Sequence, residues 1–465
     1  MIAAWSRFWF TPGSVHVLGI MRIILVLNAM IFQIIPAVKM LPSLAVRPPA
    51  LMHPTGFHAV TGLAWPPDPG LAPWIGGATL IAGVFACLGL LTRFSLALFV
   101  GFYGYLLGGI TALGVFDHMT LLVFHVLLVL IAAPGASAWS VDAVIASRRG
   151  GLALIPALRG PEGSRWGFQL ILVLLSATYL VAGIAKLRWG GMQWLDGNTL
   201  AWYFSGQADR DRVPIFADPA ATPAMAWRDG IGLIDHAYMS RSSRLARWLS
   251  VHQPLPMLIA IGAVTFELTA WAMLYRPLRN WILLSAVVFH TIIGQLMGHI
   301  FWDWRILCLL LVDWPALIRQ IDRLLLWVWP QAKTPADIVV LFDGVCGLCD
   351  ATVTTIMAAD RHARLRFATL QGQAADRLLG SQAIRTVPDS IIVVQRGTIS
   401  NRSTAILAIC AELGGIWRLA GLLRIVPRPL RDLVYDFIAR WRMALFGRRE
   451  TCRMPSLAER ARFID

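Results

Sequence analysis

Long apolar stretches alternate with short polar breaks through the first two thirds of the chain. Seven of them lie near residues 15–36, 71–91, 94–114, 119–133, 166–187, 255–274 and 279–300. A helix that crosses a bilayer needs about 20 apolar residues, and each stretch reaches or approaches that length once its flanks are counted. An eighth stretch, RILCLLLVDWPALIRQIDRLLLWVW (305–329), is interrupted by Asp313, Pro315, Arg319, Asp322 and Arg323. It reads equally as a full crossing, a broken helix or an interfacial one. Residues 188–254 are too polar to cross, and within them AWRDGIGLIDHAYMSRSSRLARWLS (226–250) mixes arginine and apolar residues as a helix lying in the interface does.

The pattern changes after residue 329. A short linker, residues 330–336, precedes an alternation of brief apolar runs and helical periods. IVVLF reads as a strand, Asp350 to about Ala359 as a helix, and LRFATL as a second strand. DSIIVVQRG with TIS then reads as a hairpin, and helices follow from about 403. A β-α-β start followed by a hairpin and helices is the order of a thioredoxin-like fold. The expected organisation is a polytopic α-helical membrane domain of seven to eight transmembrane helices over residues 1–329, then a C-terminal α/β thioredoxin-like domain over residues 337–465. No internal repeat is apparent.

Composition supports this division. The chain of 465 residues is 57% hydrophobic and only 14% charged, against about 25% charged in an average soluble protein, and its mean hydropathy is +0.63. The net charge is +15, and Lys39, Lys186 and Lys333 are the three lysines among 41 basic residues. Cytoplasmic loops and anionic head groups account for such a balance. No aromatic–basic stripe points to nucleic acid, and none is expected as a partner. The N-terminus lacks a small-residue cleavage site, so the first hydrophobic helix is expected to be retained.

Of six cysteines, Cys87, Cys308 and Cys410 sit in apolar helical runs and read as small core residues. Cys346 and Cys349, in LFDGVCGLCD (341–350), form a C-x-x-C where a buried strand gives way to a helix. A helix N-terminus stabilises a thiolate, and a second thiol three residues on can resolve a mixed disulfide. Cys346 would attack and Cys349 resolve, with Pro388 in TVPDSIIVV placed before a strand, where thioredoxin-like folds hold a cis-proline facing the dithiol. A structural disulfide and half of a zinc site are the alternatives. Zinc needs about four ligands, whereas no second C-x-x-C or His pair accompanies this one and His362 is alone; no metal is expected.

LFDGVCGLC, PDSIIVV and LGGIWRLAGLLRIVPRPLRDLVYDFIARWRMALFGRRETCRMP together resemble the DCC family of thiol–disulfide oxidoreductases, over residues 337–465. The resemblance implies a thioredoxin-like domain with Asp343, Cys346 and Cys349 in the family signature. Cys452, in ETCRMP, also matches the family pattern, as a third redox partner or as a buried or capping thiol.

The apolar spans carry ionisable residues, which are costly in a bilayer and normally face a cavity or one another. Arg22 lies in the first, Asp117 and His118 open the fourth, Lys186 ends the fifth, Glu267 lies in the sixth and His290 in the seventh. A lysine at a helix end either snorkels or is held in a site. His125 reads as a packing histidine. If the first span starts inside, the span ends bearing Asp117, His118 and Lys186 share one face, and a polar pocket results.

DHMTLLVFHVLLVLIAAPGASAWSVD, AGIAKL and VVFHTIIGQL resemble the membrane domain of the vitamin K-dependent γ-carboxylase family, shared by the bacterial HTTM proteins, over roughly residues 10–315. The resemblance implies that Lys186 is the base acting on a reduced quinone, with His118 and His290 at the family's histidine positions. It also implies a bacterial inner (plasma) membrane. One departure is Asp117, where the family has asparagine. The other is that a thioredoxin-like domain stands where the carboxylases have a large substrate-binding region, so quinone handling carries over rather than glutamate carboxylation.

Three functions follow as expectations. In the first, a menaquinone- or vitamin K-like quinone in the membrane domain exchanges electrons with the Cys346/Cys349 dithiol, which serves a thiol- or disulfide-bearing protein partner. In the second, carboxylase-like quinol oxygenation modifies a peptide. In the third, the chain is a non-enzymatic membrane-anchored interaction module. The positive-inside rule puts Arg93, the loop with Arg148, Arg149, Arg159 and Arg165, and Arg276 with Arg279 inside, hence Lys186 and His118 outside. Seven crossings would leave the C-terminal domain outside too, and eight would leave it inside; the expectation leans to the extracytoplasmic side.

Overall fold

The computed structural model describes residues 2–13, 15–46, 57–111, 118–150, 154–160, 162–205, 243–297, 301–333, 338–344, 346–386, 391–447 and 459–464. Asp117, Pro388 and Cys452 lie outside these residues, as does most of the expected interfacial stretch 226–250. By compactness the chain forms two units. The first comprises Met1–Ile145 with Arg159–Val312, and the second Ala146–Leu158 with Asp313–Asp465.

The first unit is helical. Its principal helices are α1 (His16–Ala45), α2 (Ala72–Leu88), α3 (Thr92–Thr111), α4 (His118–Ala132), α5 (Trp166–Ala185), α6 (Leu255–Thr269), α7 (Arg276–Met297) and α8 (Trp302–Leu311). Among the described residues, four helical stretches are long and apolar enough to cross a membrane: His16–Ala45, Trp166–Gly190, Leu255–Leu274 and Arg276–Met297. The expected number was seven to eight. At about 1.5 Å per residue the 17 residues of α2 fall short of a hydrocarbon core roughly 30 Å thick. Gly89, at φ +68°, ends α2 in the left-handed region that favours glycine. Apolar side chains such as Phe94, Val181 and Val288 point outward, as a lipid-facing surface requires.

The eighth apolar stretch is a broken helix. α8 stops at Leu311, Val312 is extended, and α9 (Trp314–Val328) begins afresh. Asp313 caps α9 by accepting from the Ala316 N–H at 3.0 Å, and Pro315 occupies its first turn, where a missing N–H costs nothing. α9 belongs to the second unit. Its Asp322 accepts from the Ile416 N–H at 3.0 Å and from Arg361 at 3.2 Å.

The second unit is built on a mixed four-stranded sheet with spatial order β2-β1-β3-β4, where β1 is Ile338–Phe342, β2 Arg366–Thr369, β3 Ile392–Gln395 and β4 Thr398–Asn401. β1 runs parallel to β2 and antiparallel to β3, and β3–β4 is a hairpin. The expected β-α-β start and hairpin are therefore present. α10 (Gly347–Ala359) links β1 to β2, α11 (Gln373–Thr386) follows β2, and α12 (Arg402–Leu413) follows β4. The period of two along β1 sends Ile338, Val340 and Phe342 into a core with Val353, Ile356, Ala405 and Ile409. Leu341 goes to the opposite face, with Ala375 and Leu379 of α11. A 3-10 segment, Gly415–Ile425, then leads into α13 (Arg428–Phe446).

Candidate functional site

The chemistry of the second unit gathers where β1 ends. The chain leaves the sheet at Phe342, turns through Asp343, and enters α10 with Cys346 in the N-cap position. There the Cys346 sulfur accepts from the Cys349 N–H at 3.4 Å, which fills the place an N-cap oxygen usually takes. The Asp350 N–H donates to the Cys346 carbonyl at 3.0 Å. Both residues carry free thiols. A thiolate at Cys346 meets the positive end of the α10 dipole.

A buried ion pair backs this turn. Arg442 of α13 donates to Asp343 Oδ2 at 2.9 Å, and both side chains are almost wholly buried. Gln371 donates to the other carboxylate oxygen at 3.3 Å. The Cys349 thiol hydrogen-bonded to Cys346 is the largest cause of a Cys346 pKa brought down to about 6; the backbone N–H groups and the Arg442 charge add to it, while burial opposes it. Cys349 is pushed the other way, up, by the same hydrogen bond and by burial. The pair is thus polarised into a thiolate and its proton-bearing partner, in the order that attack by Cys346 requires. Cys346 is fully buried, so a partner's sulfur reaches it only when the residues over it move aside.

An apolar cavity of about 260 Å³ runs between α10 and α12. Leu348, from within the C-x-x-C, lines it together with Ile406, Cys410, Leu413 and Trp417. Burial pushes the Cys410 thiol up, which keeps it protonated and inert, in line with a core cysteine. Among the described residues no group of three or more His, Cys, Asp or Glu side chains is placed to hold a metal ion.

The first unit holds a second polar site. Lys186 Nζ donates to both carboxylate oxygens of Glu267, at 2.7 and 2.8 Å, and lies 5.3 Å from the centre of the Trp194 ring. Lys186 begins a π-helical turn, Lys186–Gly190, that extends α5; such turns recur at functional sites. His290 of α7 shares a 2.7 Å hydrogen bond between its Nε2 and the Tyr179 hydroxyl. The Tyr179 ring packs edge-on against Phe266, the neighbour of Glu267, at 5.5 Å. Lys186 and Glu267, distant in sequence, are therefore one pair, and His290 lies behind them in an aromatic shell with Trp304 and Phe301.

Arg22 does not join this site. It is fully buried and donates to the carbonyls of Ala136, at 2.6 Å, and Trp139, at 3.0 Å, with Cys87 at 3.4 Å. Those bonds pin the turn after α4 to the end of α2, a structural task. His118 is the first residue of α4.

Sequence reasoning passed over several residues here. Tyr179 lies in the same apolar span as Lys186, seven residues before it, and its hydroxyl among apolar residues was the available signal. Asp303 is buried near the start of α8, where Asn28 and Gln33 donate to its two oxygens and the Tyr103 hydroxyl donates on to Gln33. A π-helical turn at Met30–Ile34 aligns Asn28 and Gln33, five apart in sequence, on one side of α1. An aspartate inside a hydrophobic stretch was the cue. Arg442 gave none, because an arginine on a surface-like amphipathic helix reads as solvated.

Comparison with known proteins follows the same division. Residues 340–448 match the DCC1-like thiol-disulfide oxidoreductase family, and residues 10–228 match the HTTM domain. The uncharacterized protein YuxK of Bacillus subtilis (strain 168) is 38% identical over 127 residues, which is 27% of this chain and 93% of YuxK. A chloroplastic DCC family protein of Arabidopsis thaliana is 33% identical over 120 residues, 25% of this chain and 69% of that protein. No solved structure matches.

Proposed function

Because the chain belongs to the DCC1-like thiol-disulfide oxidoreductase family through residues 340–448 and joins that domain to an HTTM domain, we propose that it is a membrane-bound thiol–disulfide oxidoreductase that couples its dithiol to a quinone. The observation that carries the redox part is Cys346 as the N-cap of α10, held toward the thiolate by Cys349 and Arg442. A thiolate of the partner attacks Cys346 in the Cys346–Cys349 disulfide and expels Cys349, which takes up a proton, and this leaves a mixed disulfide. A second partner thiolate attacks the partner's sulfur in that bond and expels Cys346 as the thiolate, so the partner leaves as a disulfide and the dithiol is reduced, ready to be closed again by the quinone. The cavity beside Leu348 would take an apolar side chain of the partner.

The Lys186–Glu267 pair supports the quinone part. An ammonium has three donors. Glu267 accepts two of them, and Lys186 is a quarter exposed, so one donor is left for a carbonyl oxygen beside the Trp194 ring. A quinone bound there would supply a two-electron, two-proton acceptor. Lys186 would donate a proton to its oxygen, and Glu267 would relay the replacement proton back to Lys186. The dithiol provides the matching two electrons and two protons when it closes. The same reading places the chain in a bacterial inner membrane with the dithiol on the extracytoplasmic side and a thiol- or disulfide-bearing protein as its partner.

The test uses the full-length protein in lipid nanodiscs with its dithiol reduced. Addition of a menaquinone-type quinone without oxygen should convert Cys346 and Cys349 to the disulfide, read as loss of two alkylation sites by mass. Lys186→Met should slow that conversion on the order of 10²-fold, the usual contribution of a positioned proton donor, and leave exchange with a small soluble disulfide unchanged. If the quinone leaves the thiols reduced, the coupling is wrong.

A further inference from the structure

α13 has its polarity turned inside out. Apart from Met443, which packs on the core, the side chains shown bonding it to the rest of the second unit are polar. Asp432 accepts from the Ser403 N–H and hydroxyl at 3.3 and 2.5 Å, the Tyr435 hydroxyl accepts from the Ile391 N–H at 2.9 Å, and Arg442 pairs with Asp343. Its apolar side chains instead face outward: Leu430, Leu433, Val434, Phe437, Ile438 and Trp441 are all exposed, Leu433 by 66% and Phe437 by 64%. At 3.6 residues per turn these positions form one unbroken stripe along the helix. The 3-10 segment that feeds into α13 continues it with Leu422, Leu423 and Ile425, the last 82% exposed. Monomeric soluble proteins rarely leave so continuous an apolar surface uncovered.

The charge around the stripe says what covers it. Residues 414–447 contain arginines at 418, 424, 428, 431, 440 and 442 and acids at 432 and 436 alone. Both acids already have partners, Asp432 in Ser403 and Arg428 and Asp436 in Arg402. Helical periodicity sets Arg431 and Arg440 on the two margins of the stripe; Arg440 is exposed, and Arg431 is half-buried, its Nε donating to the Val426 carbonyl at 3.0 Å, which holds its guanidinium at that margin between apolar floor and polar layer. Apolar floor, aromatic residues and a basic margin are the make-up of a helix that lies in a membrane interface rather than across it, and α13 is not among the four stretches apolar enough to cross. The chain itself supplies the surface. Residues 1–312 carry the spanning helices, so the second unit is tethered to a bilayer at high effective concentration.

We propose that α13 and the 3-10 segment before it dock the second unit on an anionic lipid surface, with Phe437 and Leu433 among the acyl chains and Arg431 and Arg440 at the phosphates. Arg442, just inward of the Arg431 margin of the same helix, fixes Asp343 beside the dithiol, so docking holds the C-x-x-C close to the membrane surface. For that consequence, though not for the docking, the inference rests on the oxidoreductase reading.

Spin labels on the full-length protein test it without any redox readout. With the six native cysteines replaced by serine, labels are placed in turn at Leu433→Cys, Phe437→Cys and, as a control, Asp436→Cys. In vesicles of zwitterionic lipid with a quarter phosphatidylglycerol, oxygen should relax the labels at 433 and 437 more than a water-soluble nickel chelate does, with the reverse at 436. Arg431→Glu with Arg440→Glu, or purely zwitterionic vesicles, should abolish the difference. Equal nickel access at all three sites would mean the stripe faces water. Protection from both probes would mean protein covers it, and dipolar broadening would mean a second copy does; each overturns the proposal. The unmodified protein gives an independent check, since hydroxyl-radical oxidation of Phe437 and Trp441 should fall in anionic vesicles relative to zwitterionic ones.

Discussion

At Cys346 the balance between opposing effects decides the chemistry. Burial raises a thiol pKa, but the hydrogen bond from Cys349, the α10 N–H groups and the Arg442 charge outweigh it and leave a pKa of about 6. A group so depressed is a thiolate above that value and loses its charge as pH falls through it, so nucleophilicity should fade below about pH 6. Alkylation of reduced protein by iodoacetamide, read by mass at Cys346, should therefore show its midpoint there. Arg442→Met should raise the midpoint and Arg442→Lys should leave it nearly unchanged, because the charge and not the shape is at issue. Removing one partner of a buried pair also costs roughly 3–5 kcal/mol, so Arg442→Met should be less stable as well, while only the pH midpoint reports on the thiolate. The C-x-x-C was legible in the sequence because its spacing is local. Arg442 was not, since it stands 99 residues from Asp343 and meets it only through the packing of α13.

Among the elements, local signals predicted starts and stops well and sidedness poorly. Asp313 and Pro315 interrupt the eighth apolar stretch, and they end one helix and begin another as their cap and first-turn preferences dictate. The continuous apolar run IVVLF predicted a buried strand, and the structure puts core on both of its faces. The hydrophobic period of α13 identifies a stripe but not whether that stripe turns in or out. Here the polar face turns in, because Ser403, Ile391 and Asp343 offer it hydrogen bonds. Gly89 is the element-scale point most open to test. A Cβ there would lie 2.4 Å from the Ser140 Cβ and 2.9 Å from the Arg22 guanidinium, at a φ of +68°. Gly89→Ala should cost at least the roughly 1–2 kcal/mol of a left-handed non-glycine residue and loosen the Arg22 clamp, seen as a lower melting temperature in detergent. Ala at Gly77, where nothing lies within 4 Å, should leave the melting temperature close to that of the parent protein.

For the whole molecule the open dimension is the side of the membrane. A membrane-impermeant thiol reagent applied to intact cells, with the cysteines other than Cys346 and Cys349 changed to serine, should label the dithiol only after reduction and without lysis. Labelling that requires lysis would put the dithiol in the cytoplasm and separate it from the expected outer face of Lys186. The sequence by itself determined the two-part make-up of the chain, its apolar helical character before residue 329 and the strand–C-x-x-C–helix order, since each depends on composition or on neighbours within a turn or two; that the eighth stretch is broken, out of the three readings the sequence left open, came from the structure. The tertiary structure alone decided that Lys186 meets Glu267 across 81 residues, that Tyr179 meets His290 across 111, that Arg22 clamps backbone, and that α13 wears its apolar face outward. Those outcomes depend on which helix faces which, and that is settled by the summed packing and hydrogen bonding of distant segments, which no local pattern encodes.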